Sequence, residues 1–217
     1  MDEKETDRLE AFSDGVFAVA ITLLVLSFQP PTAPDKLIDS ALLGFLYNQW
    51  PMLFAFVTSF ATIGIMWINH HRLFKHIKRT DTGLLLLNLL LLLFIVFIPY
   101  PTALLAQQYA LHPDQHLAAV VYSGTYVIMA ACFNLLWRYA SYHNRLLGKD
   151  VDQRAVMAIS RQYLFGPVFY LITFGVAWIN VPACIILNFL FALFFAVPGR
   201  PPRQVLNIDE TTRNVQS

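Results

Sequence analysis

The chain has 217 residues, of which 57% are hydrophobic and only 13% charged, and its mean hydropathy is +0.53. Soluble domains carry roughly one-quarter charged residues, so this composition excludes an ordinary soluble domain and predicts an integral membrane protein. The formal net charge of +1 gives no reason to expect a nucleic-acid partner. Cys132 and Cys184 lie in apolar surroundings, which argues against a disulfide framework and favours a packing role.

The first apolar segment, residues 8–28, contains no proline and a single glycine. As an α-helix it is about 30 Å long, enough to cross a bilayer. Its polar residues lie near its two ends, except for Thr22, whose hydroxyl falls near mid-depth among apolar side chains. No signal-peptide cleavage site follows the segment, so we expect it to remain in the protein as the first membrane span.

Five further spans are predicted along the chain, and Pro99 and Pro101 predict a bend near the far end of the third. An amphipathic segment before the second span is expected to lie at the membrane surface. The spans after the first are predicted over 51–68, 83–105, 117–137, 162–179 and 183–197. The fold class is therefore an all-α membrane protein with one six-helix domain, residues 1–197, followed by a polar and disordered tail, residues 198–217.

Positive charge sets the predicted orientation. Every Lys and Arg except Lys36 falls on one side of the six-span topology, and cytoplasmic loops retain such residues. Both termini are therefore predicted to be cytoplasmic. The start of the first span and the end of the second then share one membrane face, where residues 8–14 can meet residues 69–72.

The first helix has two sides. At about 100° per residue from Val19, Gly15, Thr22, Leu23 and Leu26 lie within a stripe about 100° wide, and Asp14 lies at about −140°. Asp14 therefore points toward neighbouring helices and not into the stripe. Nothing in one helix decides which side faces a pore. For Thr22 the simpler interpretation is a hydrogen bond back to its own helix carbonyls.

Two interpretations of the polar residues at the start of this helix remain open. Arg8, Ser13 and Asp14 either cap the helix and rest in the headgroup region, or form a polar cluster between helices. The candidate partners of such a cluster are Trp67, Asn69, His70 and His71. Because adjacent positions diverge by about 100° on a helix, we expect either His70 or His71, and not both, to contact Ser13 or Asp14.

Absent motifs exclude several classes of function. No acidic or basic residue lies in the middle of a predicted span, which argues against a proton-coupled transporter. No hydrolase, metalloprotease or phosphate-loop motif occurs, so we expect no enzyme, no cofactor and no metal site. The Thr-Val-Gly-Tyr-Gly filter of the usual potassium channels is also missing. Asn88, Asn134 and Asn188 are expected to join helices and not to form a site.

The stretch from Arg8 through Phe12, Ser13 and Asp14 into residues 15–24 resembles the signature of the transmembrane protein 175 family, the endosomal and lysosomal potassium channels and their prokaryotic relatives. The resemblance extends over residues 8–197. It implies a potassium-permeable homotetramer of the prokaryotic single-repeat type, in the lipid of the prokaryotic cell membrane. A small-solute secondary transporter is the alternative function.

The resemblance also implies residue roles. A central pore is lined by the first helix of each subunit, with Val19 at a hydrophobic constriction and Leu23 and Leu26 in the next layers. Thr22 supplies a hydroxyl layer that acts on selectivity. The family usually has Ile or Leu at the position of Val19, so the resemblance implies a wider constriction here. Arg8, Phe12, Ser13 and Asp14 are implied to be a structural motif that holds the pore helix to the second and third helices.

Overall fold

The computed structural model describes residues 3–28, 38–148 and 151–197. In these ranges the chain is almost entirely helical and has no strand, only an isolated bridge between Ile77 and Leu147. The helices are α1 (Glu3–Leu23), α2 (Asp39–Asn48), α3 (Trp50–His76), α4 (Thr82–Phe97), α5 (Pro99–Leu111), α6 (Leu117–Ser141), α7 (Gln153–Ala177) and α8 (Val181–Ala196). The predicted tail, residues 198–217, lies outside the described residues.

Five helical stretches are long and apolar enough to cross a bilayer: Glu5–Ser27, Trp50–His76, Thr82–Leu111, Leu117–Asn144 and Gln153–Ala177. The sixth apolar helix, α8, has 16 residues and is about 24 Å long. The prediction of an all-α fold built from apolar helices is confirmed.

The third predicted span consists of two helices. α4 ends at Phe97 and α5 begins at Pro99, because Pro99 and Pro101 have no N–H to continue the hydrogen-bond ladder. The Thr102 hydroxyl donates to the Ile98 carbonyl at 2.8 Å at this break. The helix is interrupted at Ile98 alone, whose φ of −52° and ψ of −41° remain α-helical, so α4 and α5 follow each other within the one stretch Thr82–Leu111.

Other boundaries also differ from the predictions. α7 begins at Gln153, nine residues before the predicted span, where Asp152 accepts a hydrogen bond from the Arg154 N–H at 2.9 Å. Hydropathy marks the membrane-embedded part of a helix and not its polar extension. α1 ends at Leu23 and continues as a 3₁₀ turn, Leu24–Ser27. Residues 24–27 are therefore wound more tightly than the regular α-helix, at about 100° per residue, from which their angular positions were predicted.

α6 forms the centre of the bundle and packs most extensively on α7. Tyr122, Tyr126 and Trp137 on α6 are among the largest fully buried side chains. Cys132 and Cys184 are both buried and unpaired. α1 lies at one side of this core, against α3 and α4, so it is only partly enclosed by its own chain.

The connections α3–α4 and α6–α7 meet at one end of the bundle and form a loop clasp, residues 77–81 with 142–148. The N–H groups of Lys78 and Arg79 both donate to the Leu146 carbonyl, at 2.9 and 3.1 Å. Asp81 accepts from the Leu84 N–H, the Tyr139 hydroxyl and the Arg145 guanidinium. The clasp fixes the start of α4 relative to the end of α6.

Asp81 lies outside the apolar spans, and its contacts in the loop clasp lower the pKa of its carboxyl. Partial burial acts to raise the pKa of its carboxyl, but the Leu84 N–H, the Tyr139 hydroxyl and the Arg145 charge outweigh this effect, and the pKa lies below its usual value. Folding therefore stabilises the charged form of Asp81.

Candidate pore helix and its polar anchor

α1 has a buried side and an exposed side. Ser13, Phe17, Ala20 and Leu24 are buried against the bundle. Exposed side chains follow the opposite side of the helix: Gly15, Ala18, Val19, Thr22, Val25 and Leu26. The exposed side thus overlaps the stripe that the sequence analysis assigned around Val19.

The predicted constriction residues differ in exposure. Val19 is 53% exposed and Leu26 is 67% exposed, whereas Leu23 is half-buried at the edge of the exposed side. Leu26 lies in the 3₁₀ turn, where each residue advances about 120° instead of about 100°. The angular position of Leu26 therefore shifts from that of a regular α-helix to the Leu23 edge of the stripe, and its side chain is exposed.

Thr22 makes the back-bonds that the simpler interpretation predicted. Its hydroxyl approaches the Val19 carbonyl at 2.8 Å and the Ala18 carbonyl at 3.0 Å. These carbonyls take the hydroxyl proton, and the lone pairs of the oxygen remain on the exposed side of α1. The side chain can therefore act outward as an acceptor and not as a donor.

Asn88 is the centre of a buried polar chain across three helices. The Asn88 amide nitrogen on α4 donates to Ser13 Oγ at 2.9 Å, and Ser13 donates to the Leu9 carbonyl at 2.8 Å. The Asn88 carbonyl oxygen lies 2.9 Å from Nε2 of His70 on α3. Since that oxygen can only accept, Nε2 carries the proton. Asn88 therefore joins α1 to α3.

His70 is completely buried and held between two phenylalanine rings. Its ring stacks on Phe74 with centroids 4.4 Å apart and lies 5.4 Å from Phe17. Its Nδ1 atom has no hydrogen-bond partner among the described residues. A neutral imidazole satisfies this geometry, because a second N–H would have no acceptor.

A second seam joins α1 to α3 beside this chain. The Trp67 indole N–H donates to Asp14 Oδ1 at 2.8 Å. One turn away, His71 Nδ1 contacts Glu10 Oε1. The Trp67 and His71 rings are stacked with centroids 6.3 Å apart. α1 is thus tied to α3 at two successive turns, and the neighbouring helix faces its Asp14 side.

The expected direct contact of one histidine with Ser13 or Asp14 was wrong. His70 reaches Ser13 only through Asn88, and His71 pairs with Glu10. The sequence pattern predicts for Asn88 only a general role in joining helices, and it gives no signal for Glu10. A polar residue in the middle of a leucine run was the available signal for Asn88, because such residues in a span need a partner.

Three candidate residues do not join the cluster within one chain. Phe12 is 57% exposed, and Arg8 is exposed with no hydrogen bond or ion pair to the residues that the structure describes. Asn69 accepts from Arg72 at 3.3 Å, and Arg72 also donates to the Ala196 carbonyl at 2.9 Å. Asn69 therefore belongs to the contact between α3 and the end of α8.

No set of three or more His, Cys, Asp or Glu residues that could hold a metal ion occurs in the described ranges. The site consists of an exposed helix side that carries one hydroxyl, Thr22, and of hydrogen bonds on the other side of α1 that hold it to α3 and α4. The arrangement positions α1 and leaves apolar and hydroxyl groups exposed on it.

Comparisons with known proteins identify relatives. A family profile described as "Endosomal/lysosomal potassium channel TMEM175" matches residues 8–99. Potassium channel Cha6605_3372 of Chamaesiphon minutus is 45% identical over 197 residues, covering 90% of this chain and 96% of that protein. Potassium channel B446_29190 of Streptomyces collinus is 40% identical over 191 residues, covering 88% and 91%.

The human endosomal/lysosomal proton channel TMEM175 is 36% identical over 146 residues, which cover 63% of this chain and 28% of that protein. Among solved structures, the crystal structure of a lysosomal potassium-selective channel TMEM175 homolog from Chamaesiphon minutus superposes with a TM-score of 0.79 and 44% identity, covering 89% and 97% of the two chains. By fold and by these matches the chain is a multi-pass α-helical membrane protein. It belongs to the endosomal/lysosomal potassium channel TMEM175 family.

Proposed function

We propose that the protein is a homotetrameric, potassium-permeable channel whose pore is lined by the exposed side of α1. The observation that carries this proposal is the division of α1 into a bonded side and an exposed side. Ser13, Asp14 and Glu10 hold one side to α3 and α4, while Val19 and Thr22 remain uncovered by their own chain. One helix side cannot enclose a pathway, but symmetric copies of it can.

Val19 forms the constriction in this proposal. A ring of four valines resists ion passage, because an ion there loses water and gains no ligand. Leu23 and Leu26 follow Val19 along the helix and form further apolar layers of the proposed pore. Thr22 lies one turn from Val19, and its outward oxygen lone pairs can replace part of the hydration shell of a potassium ion.

Potassium is favoured over protons as the permeant ion by the relatives. The two bacterial proteins named potassium channels match nearly the whole chain, whereas the human protein named a proton channel matches a smaller part at lower identity.

The position of the basic loops supports cytoplasmic termini, since the ends of α3 and α6 carry Lys75 and Arg138. We place the protein in the cell membrane of a prokaryote.

The test is a planar-bilayer recording of the purified protein under opposed potassium, sodium and pH gradients. We expect a current whose reversal potential follows the potassium gradient. A reversal potential that follows the pH gradient would identify a proton channel instead. Slow, saturable uptake without resolvable current would identify a transporter and contradict the proposal.

A further inference from the structure

α6 and α7 form an antiparallel pair whose register is fixed by two hydrogen bonds. The Trp137 indole N–H on α6 donates to Ser160 Oγ on α7 at 2.8 Å. The Asn134 amide donates to the Tyr163 carbonyl at 2.8 Å. Residue numbers fall on one helix as they rise on the other. The end of α6 and the start of α7 therefore lie together at the end of the bundle that holds the loop clasp.

Two arginines lie on the same side of this helix pair. Arg138 follows Trp137, and Arg161 follows Ser160, so each side chain is turned by about 100° from the contact between the helices. Because the helices are antiparallel, the two turns bring both side chains to one side of the pair. Arg154 lies two turns before Arg161 and shares its face of α7. All three side chains are exposed.

We call Arg138, Arg154 and Arg161 the arginine face, and none of its three guanidinium groups is paired with a carboxylate of the described residues. None of the three guanidinium groups forms a hydrogen bond or ion pair to a residue that the structure describes. The acidic residues nearby are engaged elsewhere. Asp152 caps α7 through the backbone N–H of Arg154, and Asp81 holds Arg145 at 2.8 Å.

The same side of α7 is apolar further along the helix. Leu164, Val168 and Ile172 follow Arg161 at intervals of three and four residues, and each is about half exposed. Met157 lies exposed between Arg154 and Arg161. The face thus changes from aliphatic at Leu164 to basic at Arg161 within one turn, the order expected where a helix passes from hydrocarbon into the headgroup region.

We propose that the arginine face binds the phosphate of an anionic phospholipid whose acyl chains lie along Leu164, Val168 and Ile172. A guanidinium presents two parallel N–H donors that match two phosphate oxygens, and Arg138 and Arg161 approach such a phosphate from both helices. The net positive charge of the face selects an anionic lipid over a zwitterionic one. This lipid site is separate from the proposed pore and does not depend on it.

The experiment measures the midpoint of thermal unfolding of the purified full-length protein in detergent. Micelles are supplemented with phosphatidylglycerol, with phosphatidylcholine, or with inorganic phosphate and no added lipid. We expect phosphatidylglycerol to raise the midpoint and the other two additions to leave it nearly unchanged. An equal rise with inorganic phosphate would overturn the lipid assignment in favour of a free anion.

Four variants test whether the phosphatidylglycerol shift in unfolding midpoint depends on the arginine face. Arg161→Gln is expected to lose most of the phosphatidylglycerol shift, and Arg138→Gln combined with Arg161→Gln to lose all of it. Arg161→Lys keeps the charge but not the paired donors, so it should keep only part of the shift. Lys75→Gln removes one exposed charge at the same end of the bundle and should keep the full shift.

A full shift in the double variant, or an equal loss in Lys75→Gln, would overturn the proposal. If the double variant changes the oligomer size while the lipid shift survives, the face is a contact between copies of the chain instead. Should the double variant fail to fold, native mass spectrometry of Arg161→Gln decides the question. The number of phosphatidylglycerol molecules retained per subunit should fall, and an unchanged number would refute the site.

Discussion

α1 and α4 each turn one side away from the bundle, and the two sides differ in side-chain size. Between Leu85 and Phe97 the exposed residues of α4 are Leu, Val and Phe alone, whereas between Gly15 and Thr22 the exposed residues of α1 are Gly, Ala, Val and Thr. Lipid tails accept bulky aliphatic groups, and small or hydroxyl side chains are typical of surfaces that helices share. The exposed side of α4 therefore suits lipid, and that of α1 suits a contact with other helices.

The buried sides of the same two helices meet at Ser13 and Asn88. Five predictions test the difference between the buried and exposed sides of α1 and α4 and the contacts that hold these helices in place.

The largest loss of stability is expected from Asn88→Leu on the shared inner surface. The substitution leaves His70 Nε2–H without an acceptor and removes the donor to Ser13, and each buried group left unpaired costs about 1–3 kcal/mol. Thermal unfolding in detergent and oligomer size are the measurements. The control is Leu89→Ala, one residue along α4 on its exposed side, which should change little. Equal stability of the two variants would contradict the role of Asn88.

Val19 should give the largest change in current. Val19→Ala widens the proposed ring and Val19→Asn supplies dipoles, so both should raise single-channel conductance severalfold, and Val19→Phe should nearly abolish it. The control is Leu93→Ala on α4, where the side chain is 62% exposed and should face lipid. If Leu93→Ala changes the current and the Val19 variants do not, the proposal that α1 lines the pore and α4 faces lipid is wrong.

Thr22→Val should reduce the preference for potassium over sodium more than it reduces conductance. The substitution keeps the shape of the side chain but removes the oxygen whose lone pairs lie on the exposed side of α1. Reversal potentials under potassium and sodium gradients measure the effect, and Thr22→Ser, which keeps the oxygen, should retain selectivity. A selective Thr22→Val channel would show that the hydroxyl layer is not used.

Asp14→Asn should weaken the protein only modestly. The partner of Asp14 is the Trp67 indole and not a basic group, and the Asn carbonyl can still accept that hydrogen bond. The loss is the extra strength of a charged acceptor, about 1 kcal/mol. The unfolding midpoint should fall slightly while conductance stays near that of the native channel. A change in conductance alone would mean that Asp14 reaches the pore.

The smallest effect is expected at Asp81, at the start of α4, and it should depend on pH. Because folding lowers the pKa of this carboxyl, its stabilising contribution is complete above the ordinary pKa and is lost as the pH falls through the folded value. The difference in unfolding midpoint between native protein and Asp81→Asn should therefore shrink from about pH 5 to about pH 3. A difference that stays constant over this range would contradict the shift.

The sequence was most informative where one helix could be analysed by itself. Hydropathy predicts the apolar segments, and helical periodicity predicts that Val19 and Asp14 lie on different sides of α1. Both predictions need only the sequence of one segment. Pairings between helices do not follow from periodicity. Asn88 and Glu10 became visible as partners only once the depths and rotations of α1, α3 and α4 were known. The early start of α7 was missed because its first turns are polar.

The order of synthesis gives the Ser13–Asn88–His70 chain a further consequence. All three residues lie in the first half of the polypeptide, whereas the loop clasp needs Leu146, which is made much later. A nascent chain inserted only as far as α5 already contains the α3 and α4 partners of Ser13, Asp14 and Glu10. The helices that follow are added to an α1 whose Ser13, Asp14 and Glu10 side chains can already be hydrogen-bonded, which limits the wrong pairings open to them during biogenesis.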